Sequence, residues 1–281
     1  MYLLFDIGGT NTRVAFSKDG KDIGEPVVFP TPQDFEEAMK AMKKALVDLG
    51  VAVGSFKIAC GGVPGVFDKV AGSLTFSPNL PDWVGKALRE KLFQSFGVPV
   101  HIENDASLVG LGEAHYGAGK GFSIVEYITV STGVGGARIV DGKIDEKSVG
   151  FEPGQEVMTF GAENVGTSSG EKTTFENAVS GTALEKRFGK KPKEVTDPQV
   201  WEELAEKLAF GLHNTIVLWS PDVLVLGGSM IVGDPAISVE RTDFYLQKML
   251  KIFPKPPILK KAELGALGGL WGALEFAKSK S

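Results

Sequence analysis

Short apolar runs separated by glycine-rich turns mark two regions of the chain. Residues 2 to 7 predict a buried strand, and residues 12 to 17 predict a second strand after a turn at Gly8 and Gly9. The pattern restarts in the second half, where SIVEYITVS, a TGVGG turn and ARIVDGKI repeat the order of strand, turn and strand. Each second strand runs into a polar Asp-Gly-Lys turn. The repetition indicates an internal duplication.

Amphipathic segments lie between and after these strands. Residues 32 to 49 place apolar side chains on one helical face, and we expect Thr31 to cap this helix. A second helix is predicted from about 83 to 96 with Asp82 as its cap, and a long helix is predicted further along the chain, from about 199 to 219. Strands that alternate with helices predict an α/β fold, and two related halves would leave a cleft between them.

Composition narrows the class of protein. Of 281 residues, 43% are apolar, which is enough for a sizeable core. The net charge of −5 and the lack of a basic cluster argue against nucleic-acid binding. The apolar stretches are too short to span a membrane, and the single cysteine excludes an internal disulfide and a cysteine-rich zinc site. We expect a soluble cytoplasmic protein that binds neither nucleic acid nor a membrane.

The two glycine turns are candidates for phosphate binding. Gly8, Gly9 and Thr10 in the first turn, and Thr132 and Gly133 in the second, can direct backbone N–H groups toward one point. Such concavities bind anions without a lysine. An ordinary hairpin explains either turn alone. Two such turns, each containing threonine, favour phosphate, although the common nucleotide motif G-x-x-x-x-G-K-[ST] is absent.

Two acids lie where predicted strands end. Asp6 could hold magnesium directly or through water, although a turn-capping role also fits. Asp105 lies where a strand passes into a helix, a place where aspartate is a common N-cap. The alternative role for Asp105, beside Asn104, is a general base that takes the proton of a substrate hydroxyl.

Eight motifs in order resemble those of the ROK family of sugar kinases, repressors and open reading frames: DIGGTNTRVAF, GGVPGVFD, NLPDW, IENDA, STGVGGARIVDGKI, FEPG, FENAVSGTAL and LVLGGS. The resemblance covers nearly the whole chain. It implies two actin-like, ribonuclease H-like domains with a central cleft that binds ATP, magnesium and a hexose. The expected domains are residues 1 to 115, on which the terminal helix at about 266 to 281 packs back, and residues 116 to 265. The resemblance also suggests a homodimer.

The resemblance implies a role for individual residues. Asp105 would be the base that activates the sugar hydroxyl. Asp6, from its position at a strand end, is the candidate metal ligand. The groups expected to bind the sugar are Pro64, Gly65, Asn79, Asn104, Asp105, Glu152, Gln155 and Glu176. Those expected to bind the nucleotide are Gly8, Gly9, Thr10, Asn11, Thr12, Thr132, Gly133, Gly227 and Gly228, the last two passing under the nucleoside.

Two departures from the family pattern concern zinc. The family usually has Glu-x-Gly-His, whereas this chain has Glu152, Pro153, Gly154 and Gln155. The family's cysteine cluster before the second sugar glutamate is also absent from FGAENVGTSSGEKTTFE. Glutamine is a poor zinc ligand, so we expect no structural zinc. The departures leave the identity of the sugar open, because this segment shapes the pocket near carbons 1 and 2.

These observations predict an ATP-dependent hexose kinase that acts on the 6-hydroxyl, with glucose as the first substrate to test. Kinases for fructose, mannose or an N-acetylhexosamine are alternatives. A sugar-sensing regulator or a non-catalytic sugar-binding protein is a third interpretation. Regulators of this family normally carry a helix-turn-helix before the first phosphate turn. Because Asp6 lies so near the start of this sequence, we expect no such motif here.

Overall fold

The computed structural model describes residues 1–145, 148–158 and 173–281. The chain forms two compact units, one of Met1–Tyr116 with Ala266–Ser281 and the other of Gly117–Gly265. No helix in the described ranges is both long and apolar enough to cross a lipid bilayer.

The first unit is built around a five-stranded sheet. Its strands are β1 (Tyr2–Ile7), β2 (Asn11–Ser17), β3 (Val27–Pro30), β4 (Ile58–Val63) and β7 (Val100–Asn104), in the order β3-β2-β1-β4-β7. A separate hairpin is formed by β5 (Val66–Asp68) and β6 (Ser73–Phe76). The helices are α1 (Phe35–Asp48), α2 (Leu88–Phe96) and α3 (Asp105–Tyr116). Phe5, Trp83 and Phe96 are among the largest fully buried side chains of this unit.

The second unit has its own five-stranded sheet. Its strands are β8 (Ile124–Val130), β9 (Val134–Val140), β10 (Lys143–Ile144), β11 (Val223–Gly227) and β12 (Ile258–Lys261), in the order β10-β9-β8-β11-β12. Its helices are α4 (Phe175–Val179), α5 (Gly181–Phe188), α6 (Pro198–Trp219), α7 (Ser229–Val232) and α8 (Val239–Met249). The apolar face of α6 packs into a core that includes Phe175 and Leu226.

The two sheets have the same topology. In the first, β1 is antiparallel to β2 and parallel to β4. In the second, β8 is antiparallel to β9 and parallel to β11. The outer strands continue both patterns in the same way. The predicted α/β fold is therefore confirmed, and β1 and β8 are equivalent central strands, each followed by one of the glycine turns.

The last helix, α9 (Gly268–Lys280), belongs to the first unit, where it packs on α3, β1 and β4. Glycine makes this packing close. A Cβ added to Gly272 would clash with the backbone carbonyl of Leu108 in α3, and one added to Gly269 would lie 2.7 Å from Cγ of Asp6. The start of α9 therefore lies directly against the acid that ends β1.

Two predicted helix caps are wrong. The helix α1 starts at Phe35, and Asp34 caps it by accepting the N–H of Glu37 at 2.8 Å. Thr31 instead donates its hydroxyl to the carbonyl of Gly8. Asp82 lies in a single 3-10 turn, Pro81–Trp83, and α2 starts only at Leu88 without a side-chain cap. Both errors come from tertiary contacts that local sequence does not reveal.

Candidate functional site

The first glycine turn connects β1 to β2. The N–H of Gly8 donates to the carbonyl of Asn11 at 3.0 Å and closes the turn. Thr31, just after β3, supports the turn, because its N–H donates to the carbonyl of Thr10 and its hydroxyl donates to the carbonyl of Gly8. Within the described part of the chain, the N–H groups of Gly9 and Thr10 have no acceptor. Two backbone donors are therefore available to an anion, as a phosphate turn requires.

Thr12 and Asn79 flank this turn in different ways. Thr12 is buried, and its hydroxyl donates to that of Thr31 at 2.9 Å. The side chain of Thr12 therefore supports the turn from the protein side. Asn79 is exposed and lies against Gly9, where an added Cβ would come within 2.8 Å of Cβ of Asn79. The close approach brings a predicted sugar ligand next to the turn.

Asp6 and Asp105 form an acidic pair in the same unit. Asp6 is 14% exposed, and Nη1 of Arg13 lies 3.5 Å from its Oδ2. Burial, and then the negative charge of Asp105, raises the pKa of Asp6 to about 6, while Arg13 opposes the shift. Burial also raises the pKa of Asp105 against its hydrogen bond from the N–H of Ala106. Gly62 of β4 makes room for Asp105, since an added Cβ would lie 3.0 Å from its Cα.

Asn104, and not Asp105, caps α3. Its Oδ1 accepts the N–H of Ser107 at 3.0 Å, and its Nδ2 donates to the carbonyl of Gly65 at 3.3 Å. Gly65 has a φ of +107° and passes against the carbonyl of Phe76, so a side chain would not fit there. The preceding carbonyl, of Pro64, accepts the hydroxyl of Ser77. The predicted residues Pro64, Gly65, Asn104 and Asp105 therefore lie in one region. Because Asn104 is the N-cap of α3, Asp105 is not needed in that role.

The second glycine turn connects β8 to β9 in the other unit. The N–H of Ser131 donates to the carbonyl of Gly133 at 2.8 Å, and the start of α5 donates to the carbonyls of Ser131 and Thr132. The N–H of Val134 donates to Oε2 of Glu176 at 2.9 Å. In the described ranges the N–H groups of Thr132 and Gly133 have no acceptor. This turn also offers two backbone donors, with a carboxylate beside them.

Three further predicted segments meet at this second turn. The 3-10 turn Pro153–Gln155 carries the exposed Glu152 and Gln155 at its ends, and Gly154 packs directly on Val134. The bridge between Val157 and Thr174 joins this segment to α4. A Cβ added to Gly228, whose φ is +87°, would clash with the carbonyl of Val130. Gly227 packs as closely on Tyr127 of β8.

The donor set around Asp6 fits a magnesium ion. Magnesium takes one or two carboxylates together with phosphate and water oxygens, and a partly exposed carboxylate at a strand end suits that pattern. No group of three or more histidine, cysteine, aspartate or glutamate side chains that could hold a metal occurs in residues 1–145, 148–158 and 173–281. The segment in which the family's cysteines were expected lies largely outside these ranges, at 159–172.

Arg13 and Glu126 were not among the residues predicted from the sequence. Arg13 lies opposite Asp6 in the register of β1 and β2. Its pairing with Asp6 could have been predicted from the hairpin pattern DIGGTNTR. Glu126 is fully buried on β8, and both its carboxylate oxygens lack a hydrogen-bond partner in the described structure. Glu126 could have been singled out in the sequence because it is the one acidic residue within the apolar run SIVEYITVS. Burial, the larger effect, and the nearby Glu156 raise the pKa of Glu126 to about 8.

Comparisons with known proteins identify the family. The family model described as "ROK family" matches residues 2–280. The N-acetyl-D-glucosamine kinase of Pectobacterium atrosepticum is 30% identical over 97% of each chain. The structure of a ROK hexokinase from Thermus thermophilus has a TM-score of 0.80 at 27% identity and 99% coverage of both chains. A ROK family glucokinase from Streptomyces griseus, in complex with glucose and AMPPNP, has a TM-score of 0.79 at 25% identity and the same coverage. From the match over nearly its full length, we conclude that this chain belongs to the ROK family.

Proposed function

We propose that this protein is an ATP-dependent hexose kinase that phosphorylates the 6-hydroxyl of its sugar, with glucose as the first substrate to test. The main support for this proposal is the environment of Asp105. Asn104 caps α3 in its place, burial raises its pKa, and the Asp6 carboxylate is its electrostatic neighbour. The similarity to a glucokinase in complex with glucose and AMPPNP supports the same substrates.

In the proposed reaction Asp105 accepts the proton of the sugar 6-hydroxyl as its oxygen attacks the γ-phosphorus of ATP. The bond from O6 to phosphorus forms, and the bond from phosphorus to the β,γ-bridging oxygen breaks. ADP leaves with that electron pair, and Asp105 then releases its proton to water. Positioned proton transfer typically contributes ~10²–10⁴ in rate, and the remainder comes from alignment and charge neutralisation. The raised pKa of Asp105 makes it a stronger base.

The remaining residues hold the substrates in this proposal. The free N–H groups of the two glycine turns bind phosphate oxygens, and Gly227 and Gly228 pass under the nucleoside. Asp6 would hold magnesium, which neutralises phosphate charge when bound. Asn104 has one amide hydrogen left for a sugar hydroxyl, while Glu152, Gln155 and Glu176 offer acceptors. A site that bonds each hydroxyl discriminates against sugars that lack one.

A sugar panel tests the proposal. The purified protein is given ATP and magnesium with glucose, fructose, mannose or N-acetylglucosamine, and ADP release is followed by a coupled assay. We expect sugar-dependent ADP release, strongest with glucose, that requires magnesium and survives a zinc-selective chelator. ADP release that is independent of every sugar would contradict the kinase proposal. Loss of activity on removal of zinc alone would contradict the zinc-free prediction.

N-acetylglucosamine is the second candidate substrate. The relative from Pectobacterium atrosepticum, named as a kinase for this sugar, supports it. Gln155, which replaces the family's usual histidine, lies in the segment expected to shape the pocket near carbon 2. A higher kcat/KM for N-acetylglucosamine than for glucose in the same panel would favour it. Sugar binding without ADP release would instead indicate a regulator or another non-catalytic sugar-binding protein.

A further inference from the structure

The second glycine turn already holds an anionic group from the protein itself. Oε2 of Glu176 accepts the N–H of Val134 at 2.9 Å, and a Cβ added to Gly133 would lie 2.5 Å from the same oxygen. The carboxylate of Glu176 therefore lies directly against the turn in which two neighbouring N–H groups have no acceptor within the described residues. In the first turn, the donor side is free of such a contact: Asn79, a neutral side chain, is the neighbour of Gly9.

The backbone around Glu176 is held by hydrogen bonds, whereas its side chain is only partly buried. Thr174 caps α4 by accepting the N–H of Asn177, and Ser180 donates its N–H to the carbonyl of Glu176. At the start of α5, Gly181 donates to the carbonyl of Ser131 at 2.6 Å. These bonds hold α4 and α5 to the turn. The side chain of Glu176 is partly exposed, so rotation of its dihedral angles can move the carboxylate without unfolding α4.

A carboxylate and a phosphate at the same turn repel each other. Like charges a few ångströms apart weaken each other's binding, and the effect is larger near a protein surface than in bulk water. Sugar hydroxyls offer the carboxylate alternative donors. Movement of Glu176 toward a sugar would therefore remove the repulsion and leave the N–H of Val134 available.

We propose that Glu176 couples the two substrates: without sugar its carboxylate occupies the second glycine turn and weakens nucleotide binding, and sugar hydroxyls draw it away. This inference rests on the proposed function, because it takes Glu176 as a sugar ligand and the turn as a phosphate site. Linkage requires that the nucleotide strengthens sugar binding by the same factor. Glu176 is thus a positioning residue for the nucleotide as well as a contact for the sugar.

Calorimetric titration with magnesium–AMPPNP tests the coupling. The proteins are the wild type, Glu176→Gln and the matched control Glu185→Gln, which removes the same charge from an exposed position on α5. Each is titrated without sugar and with saturating glucose, or with the sugar that the panel selects. For the wild type, we expect sugar to tighten nucleotide binding by about 5- to 50-fold, within the usual range of coupling between sites.

The sugar-free titration separates coupling from a simple sugar contact. We expect Glu176→Gln to bind magnesium–AMPPNP about tenfold more tightly than the wild type without sugar, since the charge at the turn is gone. A residue that only binds sugar would leave this value unchanged. The control should match the wild type. Nucleotide affinity in Glu176→Gln equal to or weaker than in the wild type would overturn the coupling.

The backbone amide of Val134 gives a second readout that needs no variant. In ¹⁵N-resolved spectra, we expect its amide proton to move upfield when glucose, or the sugar selected by the panel, is added to the wild type, because its bond to a carboxylate is lost. An unchanged Val134 resonance with sugar bound would refute the movement. If the wild type binds sugar and AMPPNP but makes no sugar phosphate from ATP, the kinase proposal fails while these binding data still decide the coupling.

Discussion

The central strands β1 and β8 are equivalent in topology, yet they use their acids differently. Asp6 lies one residue from the end of β1, partly exposed and 3.5 Å from Arg13. Glu126 lies inside β8, fully buried and without a hydrogen-bond partner among the described residues. The neighbouring Thr215 hydroxyl donates to the carbonyl of Leu212, so it does not satisfy Glu126.

The turns that follow these two strands also have different neighbours. The first has two N–H groups without an acceptor among the described residues, next to a neutral asparagine. The second likewise has two such N–H groups in the described part of the chain, next to the carboxylate of Glu176. A shared topology thus produces two similar anion cradles. From their different neighbours we propose that the first unit carries catalysis and metal binding, whereas the second controls phosphate binding.

The largest difference between the two regions should be in catalysis. We expect Asp105→Asn to lower kcat by about 10²–10⁴, the usual contribution of a positioned base, with little change in the Kd for glucose. Steady-state kinetics and calorimetry measure the two quantities, with Asp22→Asn, an exposed aspartate of the same unit, as the control. Wild-type turnover in Asp105→Asn would remove this residue from the mechanism.

Asp6→Asn should give the next largest effect. Loss of one carboxylate that holds magnesium, directly or through water, should reduce kcat/KM by about 10–100-fold and raise the magnesium concentration needed for half-maximal rate. Titration of magnesium at fixed ATP measures both. An unchanged magnesium requirement would assign Asp6 to turn structure alone and would weaken the contrast with β8.

Glu126→Gln should change the pH dependence of stability. The folded-state pKa of about 8 lies above the usual 4.5, so this group favours folding at low pH, and its contribution is lost as pH rises from about 4.5 through 8. We expect Glu126→Gln to gain on the order of 4 kcal/mol over the wild type between pH 5 and pH 9, because about three pH units of the shift fall in this range and each is worth about 1.4 kcal/mol. Urea unfolding at both pH values tests this, with the exposed Glu206→Gln as control. If the free energy of unfolding changed with pH in the same way for the wild type and Glu126→Gln, Glu126 would not destabilise the folded protein at high pH.

Alanine substitutions in the turns should give the smallest effects and should differ between them. A Cβ at Gly9 meets the Cβ of Asn79 at 2.8 Å, which is attached to backbone and yields little. A Cβ at Gly133 meets the flexible end of Glu176 at 2.5 Å. We expect Gly9→Ala to destabilise folding by about 1–2 kcal/mol and Gly133→Ala by roughly half as much. Equal losses in urea unfolding would indicate that both neighbours are equally rigid.

The repeated strand and turn pattern was predictable because buried strands are short apolar runs and glycine marks the turns between them. These runs located β1, β2, β8 and β9, and the strand-to-helix transition located Asp105. The caps at Thr31 and Asp82 were not predictable locally. Thr31 bonds to Gly8, and the indole of Trp83, next to Asp82, donates to the carbonyl of Gln33 at 3.0 Å. Both contacts join segments that are distant in sequence.

The candidate site was predictable as a set of residue types, but its connections were not. Motif order pointed to Asn104, Gly65 and Glu176 as ligands. It did not reveal that Asn104 caps α3 and bonds to Gly65, or that Glu176 bonds to the second turn. Those bonds depend on how helices pack on a sheet.

The most direct test of the central claim follows the fate of the phosphoryl group. Purified protein is incubated with magnesium, ATP and glucose labelled with ¹³C at carbon 6, and the products are followed by ¹³C and ³¹P NMR. We predict that glucose 6-phosphate accumulates in step with ADP, with phosphorus coupling at carbon 6. ADP and inorganic phosphate without any sugar phosphate, or a phosphate on another hydroxyl, would contradict the account.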